Sequence, residues 1–191
     1  LQLNAVDTSN PERLTEYASI IHSSGKHLLS LLNDLLDISR IEAGKHALEE
    51  SLFDIEAVLH AAVGLFSENA EAKRLEITFD DSVRPLIFRG DRRSIFQIVS
   101  NLLSNAIKFS LEGGKISIAL HETEIDGKSI VIQDQGIGMS VRDIEIALEP
   151  FGQVNRSLYV EENGSGLELP LAKQLVELHG GRLKISSEPG G

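Results

Sequence analysis

Cysteine is absent from all 191 residues, which removes both a disulfide framework and any thiolate metal site and accords with a reducing compartment. Positive charge is scarce: 18 Lys and Arg stand against 29 Asp and Glu, a formal net charge of −11. No basic cluster is larger than Arg92-Arg93 or Lys73-Arg74, so the sequence offers no surface for a phosphate backbone and a nucleic-acid partner is excluded. Apolar runs are short. None approaches the roughly 20 residues that span a bilayer, and the N-terminus lacks the charged-then-apolar order of a signal peptide. The expectation is a cytoplasmic segment whose residues make no membrane contact, with any anchor elsewhere in a parent protein. Repeats and low-complexity stretches are missing too. What remains is a length that suits one sizeable domain with an appendage, or two small ones.

Leu14, Tyr17, Ile21, Ser24, Leu28, Leu31, Leu35 and Ile38 alternate by three and four residues, an a/d seam over nearly four heptads that only Ser24 interrupts. Asn10-Pro11-Glu12 supplies a capping side chain and a proline at the first helical position, and Ala43-Gly44-Lys45 supplies the stop. A single helix cannot bury so narrow a stripe. The seam therefore points to half of a helical hairpin that pairs with a second copy in a four-helix bundle. Residues 1–9 then read as the preceding hairpin loop, with Leu1-Gln2-Leu3 the end of the first helix.

Past a boundary near residues 44–50 the pattern changes. It predicts a helix from about Asp54 to Lys73, a strand Glu76–Phe79, a helix Asp91–Phe109 and an alternating strand Lys115–His121. Asp126-Gly127 signals a tight turn into a strand Ser129–Gln133. A helix Leu169–Leu178 closed by Gly180-Gly181 leads to a final strand Arg182–Ser186. The fold class is α+β: a helical region over 1–44, then a two-layer α/β sandwich over 51–191.

In the helix from Asp91 to Phe109, Ile95, Ile98, Val99, Leu102, Leu103, Ala106 and Ile107 recur at helical spacing, while Asn101, Asn105 and Lys108 share another stripe. One face packs and the other presents two amides and a cation. Magnesium takes hard oxygen ligands and a triphosphate takes cations, so this stripe beside Gly-rich turns suits a metal–nucleotide surface. Such turns follow: Asp134-Gln135-Gly136-Ile137-Gly138, then Glu149-Pro150-Phe151-Gly152, then Gly164-Ser165-Gly166-Leu167 ahead of a helix whose first N–H groups suit phosphate.

In order and spacing these segments resemble the N, G1, F and G2 boxes of the ATP-binding half of a sensor histidine kinase of two-component signalling. Leu28 to Lys45 resembles that family's second dimerisation helix, and the stretch from His22 is most similar to the alphaproteobacterial cell-cycle kinases, the PleC, DivJ and DivL group. The resemblance covers nearly the whole chain. It implies the sandwich of the GHKL (Bergerat-type) ATPases, with ATP and Mg2+ as cofactors. It implies that Asp134 accepts from the adenine amino group and that Asn105 binds magnesium with Asn101 in support. By the same resemblance Lys108 lies near phosphate and Phe109 against the base, while Gly136, Gly138, Phe151, Gly164, Ser165, Gly166 and Leu167 complete the ATP-binding set. The implied partners are a second copy through the helical region and the receiver domain of a response regulator. A chaperone or topoisomerase ATPase of the same superfamily fits less well, because the heptad helix joins the Asn helix domain directly.

Two features depart from the family pattern. Between Asn155 and Glu168, Arg156 stands against Glu161, Glu162 and Glu168, and Glu168 occupies a position where the family has Gly. Carboxylates about 4 Å from a triphosphate would each cost about 1–4 kcal/mol. Of the six histidines, His22, His27, His46, His60, His121 and His179, none has the acidic and Arg-Thr-Pro-like flanks of a phosphoacceptor, and all read as surface or packing residues. Either the implied acceptor lies on a helix outside this chain, or the parent protein has a changed acceptor. The alternative is a degenerate kinase that keeps the fold and the dimer as a scaffold, with weak ATP use or none.

Overall fold

Pro11 opens α1 (Pro11–Glu42), a position where its missing N–H would have no helical partner anyway. The computed structural model describes residues 11–80, 86–123, 127–153 and 165–190; the hairpin loop and helix end read over residues 1–9, and the cap at Asn10, lie outside them. The helix stops at a left-handed Gly44 with φ of 63°, where the Lys45 N–H returns to the Arg40 carbonyl at 2.9 Å.

β1 (Glu50–Asp54) runs directly into α2 (Ile55–Leu65) because the Asp54 carboxylate caps that helix, accepting from the Glu56 N–H, and also accepts from the Leu86 N–H. The helix expected from Asp54 to Lys73 is interrupted. At Phe66 the N–H bonds three residues back to Val63, and a separate α3 (Ser67–Ala72) begins. Gly64 weakens the helix there and the Ser67 hydroxyl takes the Gly64 carbonyl, so the local bonding favours a break.

β2 (Glu76–Phe79) is followed by β3 (Ile87–Asp91), which pairs antiparallel with β1 in a small sheet of its own. These two strands were not evident in the sequence. β2 pairs in parallel with β4 (Lys115–Thr123), and β4 pairs antiparallel with β5 (Gly127–Asp134), giving the order β2-β4-β5. The expected Asp126-Gly127 turn falls partly outside the described residues; Gly127 itself is left-handed at φ 70°. Ile116, Ile118 and Leu120, alternate residues of β4, are buried beneath the helices.

α4 (Arg92–Phe109) carries the centre of the core: Val99 and Leu103 are fully buried, with Ile95, Ile98, Ala106 and Ile107 beside them. It packs between α2 and α6 (Glu168–Leu178) and against β5. A short α5 (Val141–Ala147), absent from the expectations, starts in a capping box between Ser140 and Asp143. The strand expected over Arg182–Ser186 is not formed. Burial still alternates there, with Leu183 and Ile185 half-buried, but the segment enters no ladder.

The lower end of α1 differs from its dimer-seam reading. Ile38 is only 4 % exposed and belongs to the buried core of the sandwich, with Ile41 packed on it, whereas Ile21, Leu28, Leu32 and Leu35 remain exposed. The helix thus divides lengthwise into an uncovered upper part and a docked lower part.

Candidate functional site

Asp91 fixes where the Asn helix begins. Its carboxylate accepts from the N–H groups of Arg93 and Ser94 and from that of Glu49, so one side chain caps α4 and anchors the entry to β1. Burial acts to raise its pKa, but the hydrogen bonds from Glu49, Ser94 and Arg93 outweigh it and the pKa is lowered. The Asp91 N–H in turn donates to His179 Nε2 at 3.3 Å, while His179 Nδ1 lies 2.7 Å from the Leu175 carbonyl. His179 therefore carries its proton on Nδ1 and ties the end of α6 to the start of α4. Neither role was read from the sequence; Gly90-Asp91 before a helix and the His179-Gly180-Gly181 stop were the signals available.

Further along α4, Asn101 and Asn105 both spend their amide nitrogens on the protein. Asn105 Nδ2 donates to the Asn101 carbonyl at 3.0 Å, and Asn101 Nδ2 donates to the Glu168 carbonyl at 3.2 Å. That leaves the amide oxygen, the hard donor a magnesium ion takes, as the end available to a ligand. One turn on, Lys108 Nζ sits 5.1 Å over the Phe109 ring. Lys73 closes the helix by donating to the Lys108 carbonyl at 2.8 Å.

The first Gly turn abuts this helix end. Ser110 forms a bridge with Gly136 and the Ile137 N–H bonds the Phe109 carbonyl at 3.3 Å, so the end of α4 lies against the turn that follows Asp134. A Cβ on Gly136 would lie 2.6 Å from both Asp134 Oδ1 and the Phe109 carbonyl oxygen, so glycine keeps the space beside the carboxylate open. Gly136 does this without a positive φ, and Gly138, which has one, is pressed against the Glu188 backbone instead. The Gly138 loop is sealed by Gly190 N–H to the Ile137 carbonyl and Met139 N–H to Ser187 Oγ. Asp134 keeps solvent contact, yet desolvation raises its pKa; hydrogen bonds from the backbone N–H groups of Gly136 and Asp134 itself act in the opposite direction.

At the second turn, Ser165 Oγ accepts from the Leu167 N–H at 2.9 Å, Gly166 is left-handed at φ 70°, and Leu167 is buried. α6 then starts at Glu168 with no side-chain cap on its N–H groups. Phe151 donates its N–H to the Gly166 carbonyl, and a Cβ on Gly166 would meet Phe151 and Gly152 within 3.0 Å, so the two segments fit only with glycine there. Gly164 and the acids Glu161 and Glu162 lie outside the described residues. Glu168, the first residue of α6, bears electrostatically on Asp34 of α1.

A nucleotide fits this donor set. An uncrowded carboxylate stands beside a ring and a lysine, two amide oxygens lie one helical turn apart, and a buried Ser110 hydroxyl next to the Gly136 bridge lacks a partner among the described residues.

Residues 90–191 match the family described as histidine kinase-, DNA gyrase B-, and HSP90-like ATPase, and residues 1–44 match the His Kinase A (phospho-acceptor) domain. The chain belongs to this ATPase family, in its histidine kinase branch. It is 38% identical over 94% of its length to the circadian input-output histidine kinase CikA of Synechococcus elongatus, covering 24% of that protein. It is 37% identical, again over 94%, to histidine protein kinase DivJ of Caulobacter vibrioides, covering 30% of it. The chain thus spans less than a third of either relative. Among solved structures, full-length ShkA in complex with AMPPNP superposes with a TM-score of 0.72 at 28% identity, over 87% of this chain and 34% of that one.

Proposed function

We propose that this chain is the ATP-binding catalytic region of a sensor histidine kinase, in which residues 51–191 hold Mg-ATP and residues 1–44 form the helical dimerisation region. The observation that supports it is the Ser110–Gly136 bridge, which joins the end of the Asn helix to the turn after Asp134. Asp134 accepts from the adenine amino group, Phe109 covers the base and Lys108 faces phosphate. Asn105 supplies an oxygen to magnesium with Asn101 in support. The turn from Gly164 through Ser165, Gly166 and Leu167 presents the first N–H groups of α6 to phosphate, and Phe151 braces that turn. Gly138 serves by seating the loop on residues 187–190. Bound magnesium would neutralise charge on the β- and γ-phosphates; the protein's share is positioning.

The γ-phosphoryl passes to an imidazole of an acceptor helix outside these residues, and from there to the receiver domain of a response regulator. A second copy pairs through the exposed face of α1. This chemistry belongs where ATP is, in the cytoplasm.

Calorimetry with ATP and magnesium tests the site. Asp134→Asn should weaken ATP about 10- to 100-fold, the loss of a hydrogen bond to a charged group. Asn105→Ala should remove the magnesium-dependent part of the affinity and leave the remainder. Because the Asp134 carboxyl must be ionised to accept and its pKa is raised, wild-type affinity should fall on acidification at a higher pH than an ordinary Asp would require. ATP affinity unchanged in both variants would reject the assignment.

A further inference from the structure

The lower third of α1 turns Leu31, Asp34, Asp37, Ile38 and Ile41 toward the sandwich, a stripe at helical spacing in which only these five positions are buried or half-buried between residues 31 and 41. Ile38 and Ile41 supply the apolar contact with the core. Carboxylates share that contact. α6, which opens at Glu168, packs against α1, and that carboxylate bears electrostatically on Asp34; on α1 itself, Asp37 lies one turn away; from α4, Gln97 Nε2 donates to Asp37 at 3.3 Å. At the foot of the helix, Gln174 Nε2 reaches Glu42 at 3.5 Å. Two neutral amides therefore serve Asp37 and Glu42, while Asp34 meets two like charges in a partly dry interface.

We propose that Asp34, half-buried one turn from Asp37 where α1 packs on α6, makes the seating of α1 on the ATP-binding domain a proton-controlled latch. The latch holds while Asp34 is protonated and loosens when Asp34 ionises.

The direction follows from the seated state. Burial first, then Glu168, then Asp37, push the Asp34 pKa up from 3.8 to about 6. A carboxyl raised in the seated state gives up its proton there at a higher pH than in the released state. Seating is unpenalised below the ordinary value, weakens as pH rises toward about 6, and bears the full penalty above it. A shift of about two units would bound the change at about 100-fold, and solvent screening of a half-exposed group brings the expectation to about tenfold. The lever has reach, because Glu168 is also the residue whose carbonyl holds Asn101.

The absence of cysteine makes the test direct. Ser30→Cys on α1 and Glu68→Cys on α3 place a donor–acceptor dye pair at two exposed positions, with unlabelled protein in excess so that any dimer holds one labelled copy. The ratio of seated to released α1, read by energy transfer, should fall about tenfold between about pH 4.5 and about pH 7.5. Asp34→Asn should stay seated across the range, and Glu168→Gln should move the transition to lower pH. Circular dichroism on each variant separates unseating from unfolding. A wild type whose seating ignores pH, a seating that strengthens as pH rises, or an Asp34→Asn profile identical to wild type would each overturn the latch.

Discussion

α4 and α1 both carry apolar residues at intervals of three and four, yet one buries them and the other does not. In α4, Val99 and Leu103 are fully buried under β5, α2 and α6; in α1, Ile21 is 71 % exposed and Leu28 is 63 % exposed. The same periodicity thus reports two kinds of partner. A stripe flanked on its own chain by a sheet and two helices is completed by folding. One that projects beyond the sandwich stays exposed, and only its last turns, from Leu31 to Ile41, find their cover within the chain.

The contrast breaks if both helices respond alike to truncation. Leu103→Ala should destabilise the fold by about 2–5 kcal/mol in urea unfolding, the loss for a fully buried leucine. Asp91→Ala should cost about 1–2 kcal/mol, because it removes the cap of α4 and strands the N–H groups of Arg93, Ser94 and Glu49. Its effect should shrink in acid, since the lowered pKa means that the stabilisation exists above the unfolded carboxylate value and is lost as pH falls. Leu28→Asp should be the smallest change in unfolding of the monomer, within about 0.5 kcal/mol, while abolishing self-association in sedimentation of a chain extended to restore the neighbouring helix. A Leu28→Asp chain that unfolds as easily as Leu103→Ala would mean that α1 is core throughout.

The elements that were legible in the sequence are those whose stability is local. α1, α4 and α6 show helical periodicity, with a proline start and glycine stop for α1, an aspartate cap for α4 and a glycine stop for α6, and β4 alternates from Lys115 to His121. β1 and β3 escaped because each has five residues, ends in an aspartate that already reads as a helix cap, and exists only through pairing with the other across 30-odd residues. The parallel register of β2 on β4 is hidden for the same reason. Residues 182–186 show the converse: their alternation is visible and their burial follows it, but a ladder needs a partner strand as well as a pattern. At the site, residue types and spacing pointed to Asn101, Asn105, Lys108 and Asp134, and the fold brings the end of α4 against the turn that follows Asp134. They could not show that His179 is a structural link, that Gly138 packs on Glu188, or that Glu168 faces α1, since all three depend on contacts distant in sequence.

Phe151 is held at φ 63° with 61 % of its surface exposed. A bulky residue in a left-handed turn carries a strain of about 1–2 kcal/mol, and an exposed ring recovers little of it. A selection for thermal tolerance alone would replace this phenylalanine with glycine early. The chain instead keeps this strained residue directly against the Gly166 turn, to whose carbonyl the Phe151 N–H is bonded.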